Sequence, residues 1–138
     1  MKTVKWLSVI VSIIIISTTS CGNAPMNAEK STSNITSGEP IYVYYFHTNY
    51  RCKTCRTVQK VSEEAVKELN DKQVTFKSFN LEEPLGKELA AKHEIQGQTL
   101  IIIQGSHKED ITADGFLYAV SKPEKLKEII TQKVKKLK

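Results

Sequence analysis

The stretch that decides the fold is YYFHTNYRCKTCRTVQKV, residues 44–61, in which two cysteines lie three positions apart. Aromatic and β-prone residues precede the pair, and apolar residues at helical spacing follow it. This pattern predicts a buried strand that leads into the cysteines and a helix that begins at or just after Cys52. Cys52 and Cys55 can form a redox couple, belong to a metal site or close a structural disulfide, and the surrounding sequence discriminates among these.

The first 20 residues are typical of a bacterial export signal. Two lysines precede an apolar run over residues 6–16, which is shorter than the roughly 20 residues that span a membrane. Small residues then lead into Cys21-Gly22, which resembles the bacterial lipobox, where cleavage leaves a lipid-carrying cysteine at the new N-terminus. We predict a lipoprotein signal peptide over residues 1–20 and lipidation of Cys21, with simple cleavage nearby as the alternative. The protein is then exported and anchored to a bacterial membrane, facing the periplasm or the cell exterior.

Residues 21–39 are expected to form a flexible tether. They contain almost no large apolar side chains and many Ser, Thr, Asn and Gly residues, so they cannot bury enough surface to fold. A coil of this length holds a domain on the order of 23 Å from its anchor. Without the signal peptide, 18 basic and 15 acidic residues remain, a balance too mild to indicate nucleic-acid binding.

From Pro40 onward the hydrophobic pattern becomes regular. The pattern predicts strands at 41–46, 74–81 and 99–103, a turn at 105–109 with an edge strand at 110–112, and helices at 53–70, 84–93 and from Pro123. A helical crossover joins the first two strands, which should therefore be parallel. The expected fold over residues 40–138 is a βαβαββα sandwich of the α/β class, with a mixed sheet and helices on both faces.

The position of the pair at a helix start predicts different roles for its two members. Unpaired N–H groups and the positive end of the helix dipole stabilise a thiolate at Cys52. The positive charges of Arg51, Lys53 and Arg56 are expected to lower its pKa further from the free value of about 8.5. Cys55 lies one turn inward, so it is expected to be shielded and to resolve a mixed disulfide by attacking Cys52.

Other uses of the pair fit the sequence less well. A structural zinc usually needs four nitrogen or sulfur ligands, and the chain adds only His47, His93 and His107, so neither a structural metal nor a cofactor is expected. A disulfide across so small a ring constrains the unfolded chain little. Export allows an oxidised pair to persist, and lipidation of the third cysteine leaves the other two as partners.

A resemblance of this sequence to known proteins implies which reaction the cysteine pair carries out. YVYYFHTNYRCKTC followed by a helix, with IQGQTLIII at residues 95–103, resembles thioredoxin-fold proteins over residues 41–138. The Phe-His pair before Arg-Cys-x-Thr-Cys, the GQTL segment and the FLYA segment resemble bacterial thioredoxin-like lipoproteins described as nitrophenyl-compound nitroreductase subunits. Those proteins are associated with aromatic arsenical handling and with membrane disulfide-shuttle-like permeases. The resemblance implies a thiol–disulfide oxidoreductase whose partner is a thiol or disulfide protein, such as a permease of that kind.

Three residues depart from the thioredoxin pattern. Thioredoxins keep a buried aspartate six positions before the first cysteine, where this chain has Phe46. They have a tryptophan directly before that cysteine, where this chain has Arg51, and a proline before Thr-Leu, where this chain has Gln98. The face that docks substrates is therefore expected to differ from that of a general thioredoxin.

The remaining candidate residues surround the pair. His47 either replaces the missing acid as a proton acceptor, since its pKa lies near neutrality, or makes only a local hydrogen bond. The resemblance places Gln98 and Thr99 opposite the sulfurs. The predicted site thus has Cys52 and Cys55 as reacting residues, lined by His47, Arg51, Lys53, Thr54, Gln98 and Thr99.

Two alternatives to exchange stay open. In the first, the reduced Cys52–Cys55 pair forms a binding module for a soft metal or for trivalent arsenic, since both prefer thiolate ligands. In the second, the chain is a structural or interaction lipoprotein whose disulfide is inert. An exchanger forms transient mixed disulfides, a binder forms a stable complex, and an inert disulfide predicts no loss of activity when both cysteines become serine.

Overall fold

A computed structural model describes residues 38–138 of the chain. The predicted signal peptide, Cys21 and nearly all of the predicted tether lie outside the described residues. None of the helices in the described part has the length and hydropathy needed to cross a membrane. The elements follow in the order β1 (Ile41–His47), α1 (Lys53–Leu69), β2 (Val74–Asn80), α2 (Pro84–Lys92), β3 (Thr99–Gln104), β4 (His107–Asp110), α3 (Thr112–Tyr118) and α4 (Pro123–Lys136).

The four strands form one mixed sheet in the order β2-β1-β3-β4. β1 and β2 run parallel, as the helical crossover predicted, with Ile41 opposite Val74 and His47 opposite Asn80. β3 is antiparallel to β1, and β4 is antiparallel to β3. The predicted α/β sandwich with a mixed sheet is therefore confirmed.

The sheet separates two apolar layers. On one face, Ile41, Val43 and Tyr45 of β1 belong to the core that α1, α3 and α4 complete. On the other face, Phe46 packs in a smaller cluster with Ala90 of α2. Successive strand residues point to opposite faces, so the neighbours Tyr45 and Phe46 lie in different layers. The predicted helices on both faces are present.

The hairpin after β3 differs from its prediction. The predicted turn at 105–109 is shorter, because Gly105 adopts a positive φ of +54° that glycine tolerates and β4 already begins at His107. The predicted strand at 110–112 is also displaced. The side chain of Asp110 accepts a hydrogen bond from the Thr112 N–H at 2.8 Å, an Asx-type turn that ends the strand. Thr112 instead begins α3.

Helix α3 was not predicted. It has seven residues and contains Gly115, so it is too short for a clear helical period and carries a residue that weakens the signal. A Cβ atom at Gly115 would lie 3.1 Å from the Leu100 Cδ2 atom. The glycine therefore lets α3 approach β3 closely. This tertiary contact favours a helix that the local sequence does not predict.

Candidate active site

Cys52 and Cys55 lie at the N-terminus of α1, directly after the loop that follows β1. Cys52 is the N-cap residue, and its Sγ atom accepts a hydrogen bond from the Cys55 N–H at 3.2 Å. Cys52 is exposed, whereas Cys55 is only 4% exposed. Their Sγ atoms are 2.6 Å apart, so a disulfide bond of about 2.05 Å requires only a small movement. The predicted start of the helix and the predicted shielding of Cys55 are confirmed.

The two thiols have opposite electrostatic environments. The hydrogen bond from the Cys55 thiol, followed by the Cys55 and Thr54 backbone N–H groups, lowers the pKa of Cys52 below its usual value. Burial, followed by the hydrogen bond to Cys52, raises the pKa of Cys55. A lower pKa means that a group loses its proton first, so the thiolate forms on Cys52 while Cys55 keeps its proton.

The lowered pKa of Cys52 has the cause that the sequence suggested first, hydrogen-bond donors at the helix start. The hydrogen bond from the Cys55 thiol is the largest cause, and the charges of Arg51, Lys53 and Arg56 are not among the main ones. Lys53 and Arg56 are exposed, where water screens their charges. Arg51 turns its guanidinium along the helix and donates a hydrogen bond to the Gln59 side chain. The basic side chains are therefore available for another role.

Tyr45 is a site residue that the sequence argument missed. Its side chain is fully buried, and its hydroxyl donates a hydrogen bond to the Gln98 Oε1 atom at 3.4 Å. Burial first, and then the charge of Cys55, raise the pKa of Tyr45. The phenol thus lies near the buried sulfur and donates its hydrogen bond to Gln98.

Counting residues back from Cys52 pointed to Phe46 instead of Tyr45. Phe46 lies in the α2 layer, on the opposite face of the sheet from the cysteines. Strand alternation supplied the missing signal, because Tyr45 shares its face with Val43 and Ile41 in the layer that includes α1. The position nearest to the buried thiol therefore carries a phenol, which can donate a hydrogen bond but does not ionise near neutral pH.

The two readings of His47 can be compared with its contacts. Its Nδ1 atom donates a hydrogen bond to the Thr48 carbonyl oxygen at 3.1 Å. Its ring lies 5.9 Å from that of Tyr45, centroid to centroid. Within the described residues, the hydrogen bond of this imidazole therefore goes to the local backbone, as the second reading expected, and its ring packs next to a residue that contacts Cys55.

The other predicted lining residues divide into two groups. Thr54 lies between the two cysteines at the start of α1 and helps to lower the pKa of Cys52, and Gln98 accepts a hydrogen bond from Tyr45. Lys53 is exposed at the first position of α1. The Thr99 hydroxyl donates to the Gly97 carbonyl oxygen at 3.0 Å, a local hydrogen bond within the segment that leads into β3.

Residues 38–138, the described part of the chain, contain no group of three or more His, Cys, Asp and Glu side chains placed to hold a metal ion. His93 belongs to the other face of the sheet, where its ring lies 6.1 Å from that of Tyr44. Any ligand of the Cys52–Cys55 pair would therefore rely mainly on the two sulfurs.

The fold was compared with known proteins. Thioredoxin O2 from Arabidopsis thaliana, in its oxidised state, superimposes with a TM-score of 0.51 and 22% sequence identity, covering 72% of this chain and 80% of that one. The fold is thioredoxin-like. A thioredoxin from Fasciola hepatica gives a TM-score of 0.49 and 23% identity, covering 68% of this chain and 81% of that one. No protein-family model and no curated protein matches this thioredoxin-like chain.

Proposed function

We propose that this protein is a thiol–disulfide oxidoreductase that acts through Cys52 and Cys55. The observation that carries the proposal is the asymmetry of the pair: an exposed sulfur with a lowered pKa lies 2.6 Å from a buried sulfur with a raised pKa. Sequential attack needs such an asymmetry. One cysteine must be an accessible and reactive thiolate. The other must lie beside it and stay protonated until the mixed disulfide has formed.

In the reducing direction, the Cys52 thiolate attacks one sulfur of a substrate disulfide. A bond forms between Cys52 and that sulfur, and the second substrate sulfur leaves as a thiolate. Cys55 then loses its proton to solvent and attacks the Cys52 sulfur, which breaks the mixed disulfide and releases the first substrate sulfur. Two electrons pass from the pair to the substrate, and the Cys52–Cys55 disulfide remains. The same steps in reverse oxidise a dithiol.

The pair itself supplies the order of these steps. The charge of the Cys52 thiolate is one cause of the raised pKa of Cys55. Once Cys52 is bonded to the substrate, that charge is gone and Cys55 loses its proton more readily. The second thiolate is thus generated after the first attack, when it is needed.

Exchange takes precedence over the alternative of a binding module for a soft metal or for trivalent arsenic. A chelating pair gains from two thiolates that are both accessible and both deprotonated. Here burial disfavours the thiolate of Cys55. The difference between the two sulfurs therefore supports sequential chemistry more than joint coordination.

A redox titration tests the proposed function. The chain with Cys21→Ser, which retains only the pair, is equilibrated with glutathione buffers of graded ratio, and its disulfide content is measured by mass spectrometry. We expect one reversible two-electron transition between about −270 and −120 mV, the range of known exchange proteins. A potential below about −300 mV is typical of structural disulfides, and it would favour the inert alternative.

We also propose that the protein is anchored in a bacterial envelope through a lipid on Cys21, with residues 21–39 as a tether and a membrane permease of the disulfide-shuttle type as its partner. The export-signal pattern and the resemblance to bacterial thioredoxin-like lipoproteins described as nitroreductase subunits support this proposal. A lipid chain holds a protein at a membrane by burying its methylene groups. The anchor would keep Cys52 and Cys55 close to such a partner.

Cys21→Ala is expected to move the protein from the membrane fraction to the soluble fraction, because the lipid has no other predicted attachment point. The potential of the Cys52–Cys55 pair should stay the same, since position 21 belongs to the predicted tether and not to the predicted thioredoxin-like domain. Membrane fractionation and N-terminal mass spectrometry measure both the location and the mature end. A soluble wild-type protein whose mature chain begins elsewhere would refute the anchor.

A further inference from the structure

A cationic pocket adjoins the reactive end of α1. The pocket has a volume of 230 Å³ and is lined by Arg51, Arg56, Gln59, Lys60 and Glu63. Two of these residues flank Cys52: Arg51 directly precedes it in the chain, and the Arg56 backbone N–H donates to the Cys52 carbonyl oxygen at 3.1 Å. A polypeptide joined to Cys52 through a mixed disulfide therefore lies next to this Arg51–Arg56 pocket.

The two arginines of the pocket are not neutralised by its one carboxylate. Glu63 forms an ion pair with Lys67 at 2.8 Å, outside the pocket, and Lys60 pairs with Glu64 at 3.8 Å. Among the described residues, no ion pair involves Arg51 or Arg56. The two guanidinium groups, on residues that flank Cys52 in the chain, thus have no ion-pair partner among the described residues.

Arg51 also has an unused donor. One of its terminal nitrogens donates to Gln59, but its Nε atom is buried without a hydrogen-bond partner in the described part of the chain. A buried donor without a partner costs free energy. The hydrogen bond to Gln59 fixes the position of the Arg51 guanidinium, which lines the pocket.

We propose that the Arg51–Arg56 pocket binds an aspartate or glutamate side chain close to the reacting cysteine of a substrate protein. This inference rests on the proposed exchange function and names the class of its substrate. Guanidinium groups recognise carboxylates through paired, charge-assisted hydrogen bonds. The lining of the pocket and the lack of an ion-pair partner for either arginine among the described residues fit this role.

Peptide disulfides that differ at one position test the proposal. The full chain with Cys21→Ser and Cys55→Ser is mixed with three peptides whose residue next to cysteine is Glu, Gln or Lys, and the rate constant of adduct formation is measured. At low salt we expect the Glu peptide to react at least tenfold faster than the Lys peptide. Salt screens the interaction, so the ratio should fall toward one at high ionic strength.

Arg56→Gln distinguishes the effect of the pocket on the peptide rates from the effect of the protein's overall positive charge. We expect this substitution to lower the Glu-to-Lys rate ratio severalfold. Lys87→Gln is the matched control, because it removes one positive charge from an exposed position on α2. The ratio should not change in that control.

The outcomes distinguish a failure of the pocket proposal from a failure of the proposed exchange function. Equal rates for the Glu and Lys peptides in the parent protein would overturn the pocket and leave exchange intact. An equal fall of the ratio in Arg56→Gln and Lys87→Gln, or no fall in Arg56→Gln, would also overturn it. If even the Gln peptide forms no adduct, the exchange function itself fails, and the pocket proposal fails with it.

Discussion

A Cys55→Ser variant is expected to stop halfway through exchange, with its substrate covalently attached to Cys52, and a Cys52→Ser variant is expected to form almost no adduct. Serine keeps a hydrogen-bond donor at position 55 but cannot resolve the mixed disulfide. Without Cys52, the only thiol of the pair is buried, and burial is the first cause that disfavours its thiolate. We expect adduct formation in Cys52→Ser to be slower by a factor of about 100 or more, as thiolate content and access set the rate.

Mass spectrometry of non-reduced samples measures this difference, with both variants in the Cys21→Ser background. The pH dependence gives a second check. Since the pKa of Cys52 is lowered, the adduct rate of the Cys55→Ser variant should rise with pH about a midpoint below the free-thiol value of about 8.5. Comparable adduct rates on Cys55 and Cys52 would show that the assigned roles of nucleophile and resolving thiol are wrong.

Gly86→Ala is expected to destabilise the fold, although alanine favours helices by about 1 kcal/mol over glycine. Gly86 lies near the start of α2, and a Cβ atom there would be 1.8 Å from the Asn80 carbonyl oxygen. That neighbour is backbone, so α2 or the end of β2 must shift. Overpacking of this kind usually costs about 1–3 kcal/mol, and the severity of this contact points to the upper end of that range.

The Gly86 contact also reaches the loop that carries the reactive cysteine. The Asn80 side chain donates to the Asn49 Oδ1 atom at 2.7 Å, three residues before Cys52. Urea denaturation at one fixed redox state measures the loss of stability. Gly97→Ala is the control, because no atom lies within 4 Å of a Cβ built at Gly97. Equal stability of Gly86→Ala and the parent protein would contradict the prediction.

Local patterns predicted the parts of the fold that local physics determines. The helix begins at Cys52 because the apolar spacing changes there, and β1 pairs in parallel with β2 because a helix joins them. Helix α3 was not predicted because it has only seven residues and contains Gly115, which weakens the helical pattern in the sequence. The close packing against Leu100 that this glycine allows is visible only in the structure. The hairpin was placed too late because Gly105 allows a turn shorter than composition suggested.

The candidate site was predictable only in outline. The spacing and context of Cys52 and Cys55 identified the reacting residues, and the helix start anticipated their different accessibility. Tyr45 was missed because distance along the chain from Cys52 does not report which face of β1 a side chain occupies. Donors at the helix start lower the pKa of Cys52 as the sequence suggested, but a sequence does not show that Arg51 turns toward Gln59.

The edge strand β4 has a consequence for a protein held at a surface. It has only four residues, His107–Asp110, and three of them are Lys108, Glu109 and Asp110. Lys108 donates to the His93 carbonyl oxygen at 2.6 Å, and Glu109 pairs with Lys133 of α4. Short, charged strands discourage the addition of a further strand. If lipid anchors crowd many copies onto one membrane, β4 terminates the sheet within each molecule and so protects the crowded copies from aggregation along this edge.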